Sequence, residues 1–372
     1  MIIFPNQKKE GKSEQMNDLP EIGKISPEIF NELIFPRLGA DNRNVLVKPQ
    51  HGVDVGIVEI GDKAVALTTD PVFIVPEYGW ERAAWFAIHI LASDAVTCGL
   101  KPAYLSIDLN LPMEMTKEQL EIVWNTIHRE CHKLGIFIAC GHTARYEGCH
   151  YPMVGGATVI CVGEKNEYVT PKMAKAGDRV IITKGPAIEA TGILATMFPN
   201  LVEREFGSSF SEKARDVFYK MSVVEDAMTA VSVGVREEGV TAMHDATECG
   251  IWGALYELCQ AADLGIRVEL EQIVVEDCVP EICRYFGIDP YASISEGTLL
   301  IACREHKAQE IVTALSRKGI KCSVVGELTD SRYGMNLVEG GRERILAHPI
   351  IDPFWRAFYA ALEKHNILEG NH

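Results

Sequence analysis

Apolar positions alternate with polar ones in the early part of the chain and then recur every three or four residues, so periodicity alone predicts strands followed by helices. Between 44 and 73 the runs NVLVKP, GVDVGIVEI and KAVALTTDPVF read as two or three strands. Gly61-Asp62 supplies a hairpin turn and the last strand ends at Asp70. WERAAWFAIHILASDAVTCGL predicts a buried helix stopped at Gly99, with Pro102 just beyond. AYLSIDLNLP is a strand, and TKEQLEIVWNTIHRECHKLG is a helix capped by Thr116, with Gln119 three residues on as in a capping box, and ending at Gly135. FIACGH and MVGGATVICVGE are two further strands.

The polar, turn-rich stretch 166–178 marks a junction between two halves. Beyond it come strand DRVIITK, a helix near EATGILATMF, helices around 211–238, and the segment MHDATECG leading into helix WGALYELCQAAD. Strands IRVEL and TLLIAC, the amphipathic helix AQEIVTALSRKG and strand KCSVVGEL complete the half. The pattern is α+β, in α/β layers, with expected divisions of a disordered extension at 1–20, an N-terminal domain at 21–170, a C-terminal domain at 171–350 and a helical tail at 351–372. Strands and helices alternate too irregularly for an eight-fold barrel.

Charge narrows the partners. With 36 basic and 52 acidic residues the formal net charge is −16, which offers no general attraction to nucleic acid or an anionic membrane. A small molecule or a protein is the expected partner, and a polyanionic nucleotide would need a divalent cation or a patch of backbone amides. Eleven scattered cysteines without a C-x-x-C pair read as thiols of a reducing cytoplasm, and neither a signal peptide nor a spanning helix is expected.

The P-loop, G-x-G-x-x-G, G-x-S-x-G and H-E-x-x-H signatures are all absent. What the chain offers instead is polar ligand-type residues at the ends of apolar runs: Asp54, Asp70, Asp94 and His142. Oxygen ligands of this kind suit Mg²⁺, while the alternative is a hairpin for Asp54, a turn before Pro71 for Asp70 and a solvated helix position for Asp94. Asp94 lies in AIHILASDAV, where a charge needs a partner. In the second half His244, Asp245, Thr247 and Glu248 lie between a strand and a helix expected to start near Glu248. Its N-terminus would offer amides to an anion, or Asp245 or Thr247 would simply cap it. Cys140, His142, Cys149 and His150 have no standard zinc spacing, and His128 and His132 read as surface on a helix that carries Glu121 and Glu130 into solvent.

Taken in order, these fragments resemble the superfamily of AIR synthase and the hydrogenase-maturation protein HypE, which has the PurM-like two-domain fold. GVDVGIVEI resembles its Gly-Asp-Asp element and TTDPV its Thr-Thr-Asp strand end. SDAVTCGLKPAYLSIDLNLP is similar to its Asn-Asp helix exit, and CGHTA falls at its Gly-Gly-Glu/Asp-Thr. AGDRVIITKGPAIEATGILA, HDATECGIWGALYELCQAADLGIRVE and ISEGTLLIAC are similar to second-domain elements, so the likeness spans 52–330. The resemblance implies N-terminal domains paired into a shared β-barrel in a homodimer, with ATP and Mg²⁺ bound near that interface. It also implies Asp54, Asp70 and Asp94 as metal ligands and Asp54, Thr68, Thr69 and Thr143 beside the nucleotide, with His142 near its phosphates. Asp245 and Glu296 face the substrate cleft, so that Asp245, Glu296 and His142 form the catalytic set.

The departures bear on the reaction. Val53 and His142 stand where the family has acids, while Glu248 and Cys249 replace an aspartate and a glycine. The closing LEKHNILEGNH lacks the Pro-Arg-x-Cys tail of HypE, residues 1–50 contain no cysteine, and TTDPV is not followed by Gly-Val-Gly-Thr-Lys. The expectation is an ATP- and Mg-dependent enzyme that phosphorylates or activates a small molecule. The alternatives are a non-catalytic maturation or scaffold protein with a protein partner, and a site in which His142 favours Mn²⁺, Co²⁺ or Zn²⁺. Substrate contacts are expected from loops 145–152, 185–192 and 200–212.

Overall fold

The computed structural model describes residues 25–369, so the extension expected at 1–20 lies outside the described residues. The N-terminal half runs α1 (Pro27–Ile29), β1 (Val45–Val47), β2 (Gly56–Ile60), β3 (Lys63–Phe73), α2 (Trp80–Val96), β4 (Pro102–Leu111), α3 (Lys117–Leu134), β5 (Phe137–Arg145) and β6 (Met153–Glu164). Its six strands form one sheet in the order β1-β2-β3-β6-β4-β5. The hairpin expected at Gly61-Asp62 joins β2 to β3, with Gly61 in the left-handed region that its turn requires. β3 does not stop at Asp70 as the sequence suggested: it continues through Pro71 to Phe73, paired to β6. Its pairing with β2 ends at Leu67, so Pro71 sits where one side of the strand has no neighbour and its missing N–H costs no ladder bond.

Helix α3 begins as read. Thr116 Oγ accepts from Gln119 N at 3.2 Å and Thr116 N donates to the Gln119 side chain at 2.9 Å, a reciprocal cap of about 1 kcal/mol. Glu130 is the exception to its solvated face, being 2 % exposed.

The C-terminal half runs β7 (Arg179–Thr183), α4 (Ile188–Met197), α5 (Pro199–Phe206), α6 (Ser208–Asp216), α7 (Val224–Val231), β8 (Val240–Ala246), α8 (Gly250–Ala262) and β9 (Leu264–Glu269). It continues with α9 (Val279–Phe286), β10 (Thr298–Cys303), α10 (Ala308–Arg317), β11 (Cys322–Asp330), β12 (Met335–Glu339), β13 (Arg342–Ile345) and α11 (Pro353–Glu369). Seven strands form a second sheet, β13-β12-β9-β11-β7-β10-β8.

The two sheets are covered differently. In the C-terminal sheet alternate residues go to opposite cores: Ile181, Met243, Leu299 and Ile301 pack in one cluster, and Val180, Ile182, Ala242 and Leu300 pack with α8 in another. The N-terminal sheet buries Ala64, Ala66, Leu105, Ile107 and Val159 in a core shared with α2 and α3. Its other face, with Tyr104 and Phe137 45 % and 70 % exposed, is not covered among the described residues. The first of these cores takes residues from both halves, from Ile88 and Leu91 of α2 to Ala227 and Ala230 of α7. That apolar contact fixes the halves against each other, with α2 at the junction. No described helix is long and apolar enough to cross a membrane.

Candidate active site

Asp54 lies in the loop just before β2, Asp70 in the half-open part of β3, Asp94 in the last turn of α2, and Asp245 near the end of β8. The fold brings these four together across the junction. Asp94 donates a hydrogen bond to Asp70, and burial, followed by the nearby charges of Asp245, Asp70 and Asp54, pushes its carboxyl well above the ordinary aspartate range. The partner that a charge in this apolar helix demanded is thus another acid.

Asp54 is held by His244, whose Nδ1 lies 3.0 Å from the carboxylate, while Nε2 lies 2.9 Å from Glu257 of α8. Burial works against a charge on this ring, yet Asp54 and Glu257 outweigh it and hold its pKa well above the usual imidazole value. Both ring nitrogens therefore act as donors in an imidazolium. Asp54, His244 and Asp245 place ligand-type atoms within 4.8 Å of one another. A doubly hydrogen-bonded imidazolium has no lone pair to give, so the donor set available to a cation is carboxylate oxygen from Asp54, Asp70, Asp94 and Asp245. That chemistry fits a hard divalent ion such as Mg²⁺ and gives no preference for a softer one.

Further along the cleft Glu296 and Glu189 meet. The Glu296 amide donates to the Glu189 carboxylate at 3.0 Å. Burial, then Asp245 and Glu189, pushes the Glu296 carboxyl well up, and its Oε1 is buried without a hydrogen-bond partner. Burial raises Glu189 to about 8. Asp352, which precedes α11, accepts from the amides of Cys249 at 2.7 Å and Phe354 at 2.9 Å, and burial raises it to about 6. No positive charge is among the largest influences on Asp94, Glu189 or Glu296.

The turn after β8 corrects one sequence reading. α8 starts at Gly250, not near Glu248, and its N-cap is Cys249 in the left-handed region with no side-chain cap, so neither Asp245 nor Thr247 caps the helix. The crowding expected from a cysteine here is met in two ways: Gly253 leaves room, since a Cβ on it would lie 2.8 Å from that of Cys249, and Asp352 engages the cysteine amide.

Other expected residues lie apart. Thr68 is buried on the helix side of β3, whereas the Thr69 hydroxyl is exposed and bonded to Thr158 at 2.8 Å. Neighbours on a strand leave opposite faces, so the pair does not present both hydroxyls to one phosphate. His142 and Thr143 sit exposed on edge strand β5, where the His142 ring is bonded to the Tyr146 hydroxyl at 2.8 Å. Cys140 lies 3.1 Å from Ser106 Oγ, with no zinc cluster around it among the described residues. Glu189, Glu257 and Asp352 were missed in the sequence. Their signals are weak, the best being Glu189 inside the apolar run PAIEATG.

Two family models match the chain: AIR synthase related protein, N-terminal domain, over residues 52–164, and AIR synthase related protein, C-terminal domain, over 175–336. Among relatives, a hydrogenase expression/formation protein of Methanocaldococcus jannaschii is 25% identical over 90% of this chain and 96% of its own length. The carbamoyl dehydratase HypE of Escherichia coli is 24% identical over 81% and 86%. A selenide, water dikinase of Shigella flexneri is 25% identical over 85% and 94%. Among solved structures, E. coli HypE superposes with a TM-score of 0.63 at 23% identity, covering 78% of this chain and 87% of that one. A HypE in complex with ATP gives 0.59 at 19%, covering 89% and 97%. With both family models matched in order and both sheets matching the HypE fold, the chain belongs to the AIR synthase related family, with the PurM-like fold it shares with HypE.

Proposed function

We propose that the chain is an ATP- and Mg-dependent enzyme that phosphorylates or activates a small molecule in the cleft between its halves. The observation that carries this reading is the convergence of Asp54, Asp70, Asp94 and Asp245 with no lysine or arginine among the largest influences on Asp94. Like charges so placed raise the free energy of the empty cleft, and a divalent cation with a polyphosphate lowers it. Asp54, Asp70, Asp94 and Asp245 would hold magnesium, which when bound neutralises and orients phosphate charge. His244 orients Asp54 through one nitrogen and is itself fixed by Glu257 through the other. Glu296, with its raised carboxyl, holds a proton at the substrate end of the cleft, where Asp245 faces it. Thr69 on β3, and His142 and Thr143 on edge strand β5, are exposed but separated by β6 and β4, so they would meet the nucleotide at different points. The fold shared with a HypE solved in complex with ATP supports the nucleotide assignment.

The bare face of the N-terminal sheet supports the homodimer reading. Tyr104 and Phe137 lie side by side on β4 and β5, and a second copy would cover both. A dimeric mass at micromolar concentration that becomes monomeric in Phe137→Asp is expected; a wild-type monomer contradicts the pairing.

Thermal unfolding tests the nucleotide reading. ATP with magnesium is expected to raise Tm by several degrees, and ATP with EDTA by none. Asp245→Asn should lose the shift. An equal shift with and without magnesium would overturn the proposal.

One observation favours a second reading. His244 already engages the Asp54 carboxylate, which suits a maturation protein that binds nucleotide without turning it over and works through a protein partner. Metal-dependent binding without ADP release across a substrate screen would select it.

A further inference from the structure

Of the two buried charge sets beside α2, only one is left unbalanced. The mixed-charge cavity of about 400 Å³ between α2, α3 and the C-terminal half is matched ion for ion. Lys184 lies 2.8 Å from Asp226, Lys133 3.0 Å from Glu130 and Lys220 2.8 Å from Glu276, so its wall holds no charge in reserve. The substrate end of the cleft is the reverse. Four carboxyls stand there on four segments: Glu189 in the first turn of α4, Glu296 just before β10, Glu248 before α8 and Asp352 before α11. Glu189 feels the charges of Asp352 and Glu248, and Glu296 feels that of Glu189. None of the four is ion-paired to a lysine or arginine among the described residues.

An orphan atom accompanies the unbalanced charge. Glu296 is 4 % exposed, and Ser93 and the Gly297 amide hold its carboxyl, yet its Oε1 is buried without a hydrogen-bond partner. Leaving a buried acceptor unmade is costly, and folds seldom do so where nothing is to be bound. Glu189, which accepts the Glu296 amide at 3.0 Å, is only half-buried, so the pocket is open on that side.

The surroundings discriminate between occupants. An anion would look to the amides at the N-termini of α4 and α8, and these are engaged within the chain: Ile188 N donates to Ser295 Oγ at 3.3 Å, Ala190 N to the Ile294 carbonyl at 3.1 Å and Cys249 N to Asp352 at 2.7 Å. A metal ion needs its ligand atoms close together. Among the described residues only Asp54, His244 and Asp245 bring three within 4.8 Å, and none of the four carboxyls joins them. Water would bring a donor to Oε1 but no charge. An alkylammonium brings both, with three N–H groups that reach separated oxygens.

We infer that the small molecule taken by the cleft is a primary amine, bound as its ammonium ion between Glu296 Oε1 and the Glu189 carboxyl. Calling it the substrate rests on the proposed enzymatic reading, whereas its binding rests on these acids alone. Asp245 bears on both Glu296 and Asp94, so an amine held here sits beside the carboxylates assigned to magnesium.

The test is thermal unfolding of the full chain, without magnesium or nucleotide, in propylammonium chloride and in tetramethylammonium chloride at equal concentration. Both salts screen the net charge of −16 alike, and only the first has N–H donors. Propylammonium is expected to raise Tm saturably, by several degrees more than tetramethylammonium. Glu189→Gln and Glu296→Gln, isosteric changes that break no ion pair, should each remove most of that difference, while Glu343→Gln, an exposed acid on β13, should leave it unchanged. Equal shifts from the two ions, a difference that survives in both cleft variants, or an equal loss in Glu343→Gln would overturn the inference. Failure of the ATP reading would show separately, as absence of a magnesium–ATP shift in wild type while the propylammonium difference remains.

Discussion

The acidic cleft and the mixed-charge cavity lie on the same helix, α2, and bury comparable numbers of ionisable groups, but they resolve the cost of doing so in opposite ways. In the cavity each buried carboxylate meets an amine, and Glu130 is held down at about 2, first by its bond to His89 and then by Arg129 and Lys133. In the cleft, carboxylates meet carboxylates, and Asp94, Glu189 and Glu296 are all pushed up. The first arrangement is complete as it stands. In the proposed reading the second is completed by a cation the chain does not encode, and that distinction would separate charge spent on structure from charge held for a ligand.

Breaking one pair on each side should separate the two most clearly. Lys184→Met strands Asp226, 2 % exposed, without its cation, and is expected to cost about 3–5 kcal/mol in urea unfolding. Adding Asp226→Leu should return most of it. Asp94→Asn replaces a buried carboxyl that must keep its proton to donate to Asp70 with an amide that donates without one, and is expected to act in the opposite direction, stabilising the metal-free protein by about 1–2 kcal/mol at neutral pH. Destabilisation by Asp94→Asn as large as that of Lys184→Met would erase the contrast.

The pH dependence sharpens it. Glu189 binds a proton in the folded state up to about 8 and Asp352 up to about 6, while both release theirs near 4 when unfolded. Between those limits the folded state holds more protons, so stability falls as pH rises. Without divalent ions, Tm should drop from pH 5 to pH 8, and Glu189→Gln should flatten the upper part of the slope. The smallest effect belongs to Cys249, whose left-handed backbone costs a non-glycine residue about 1 kcal/mol; Cys249→Gly should recover a fraction of that.

Much of this contrast was visible in the sequence, though unevenly. Asp94 declared itself because a charge inside AIHILASDAV has no local means of solvation, and Asp70 and Asp54 followed from their places at the ends of apolar runs. The caps and the hairpin were legible because Thr116, Gln119, Gly135 and Gly61 act within a few residues of themselves. The strand through Pro71 was not, because its tolerance depends on β2 ending early. Glu257 and Asp352 were equally hidden. Each acquires its role from a residue far along the chain, His244 in one case and the Cys249 amide in the other. His142 was given weight by its place in a motif, and the fold sets it on an exposed edge beside Tyr146.

The central claim, that the cleft's carboxylates are held for a divalent cation and nucleotide, is met most directly by calorimetric titration of ATP into wild type and an Asp70→Asn/Asp94→Asn variant, each with and without magnesium. The account predicts binding to wild type only with magnesium and its loss, by about 100-fold or more, in a variant that stays folded. Binding that ignores magnesium, or that survives the double substitution, would contradict it.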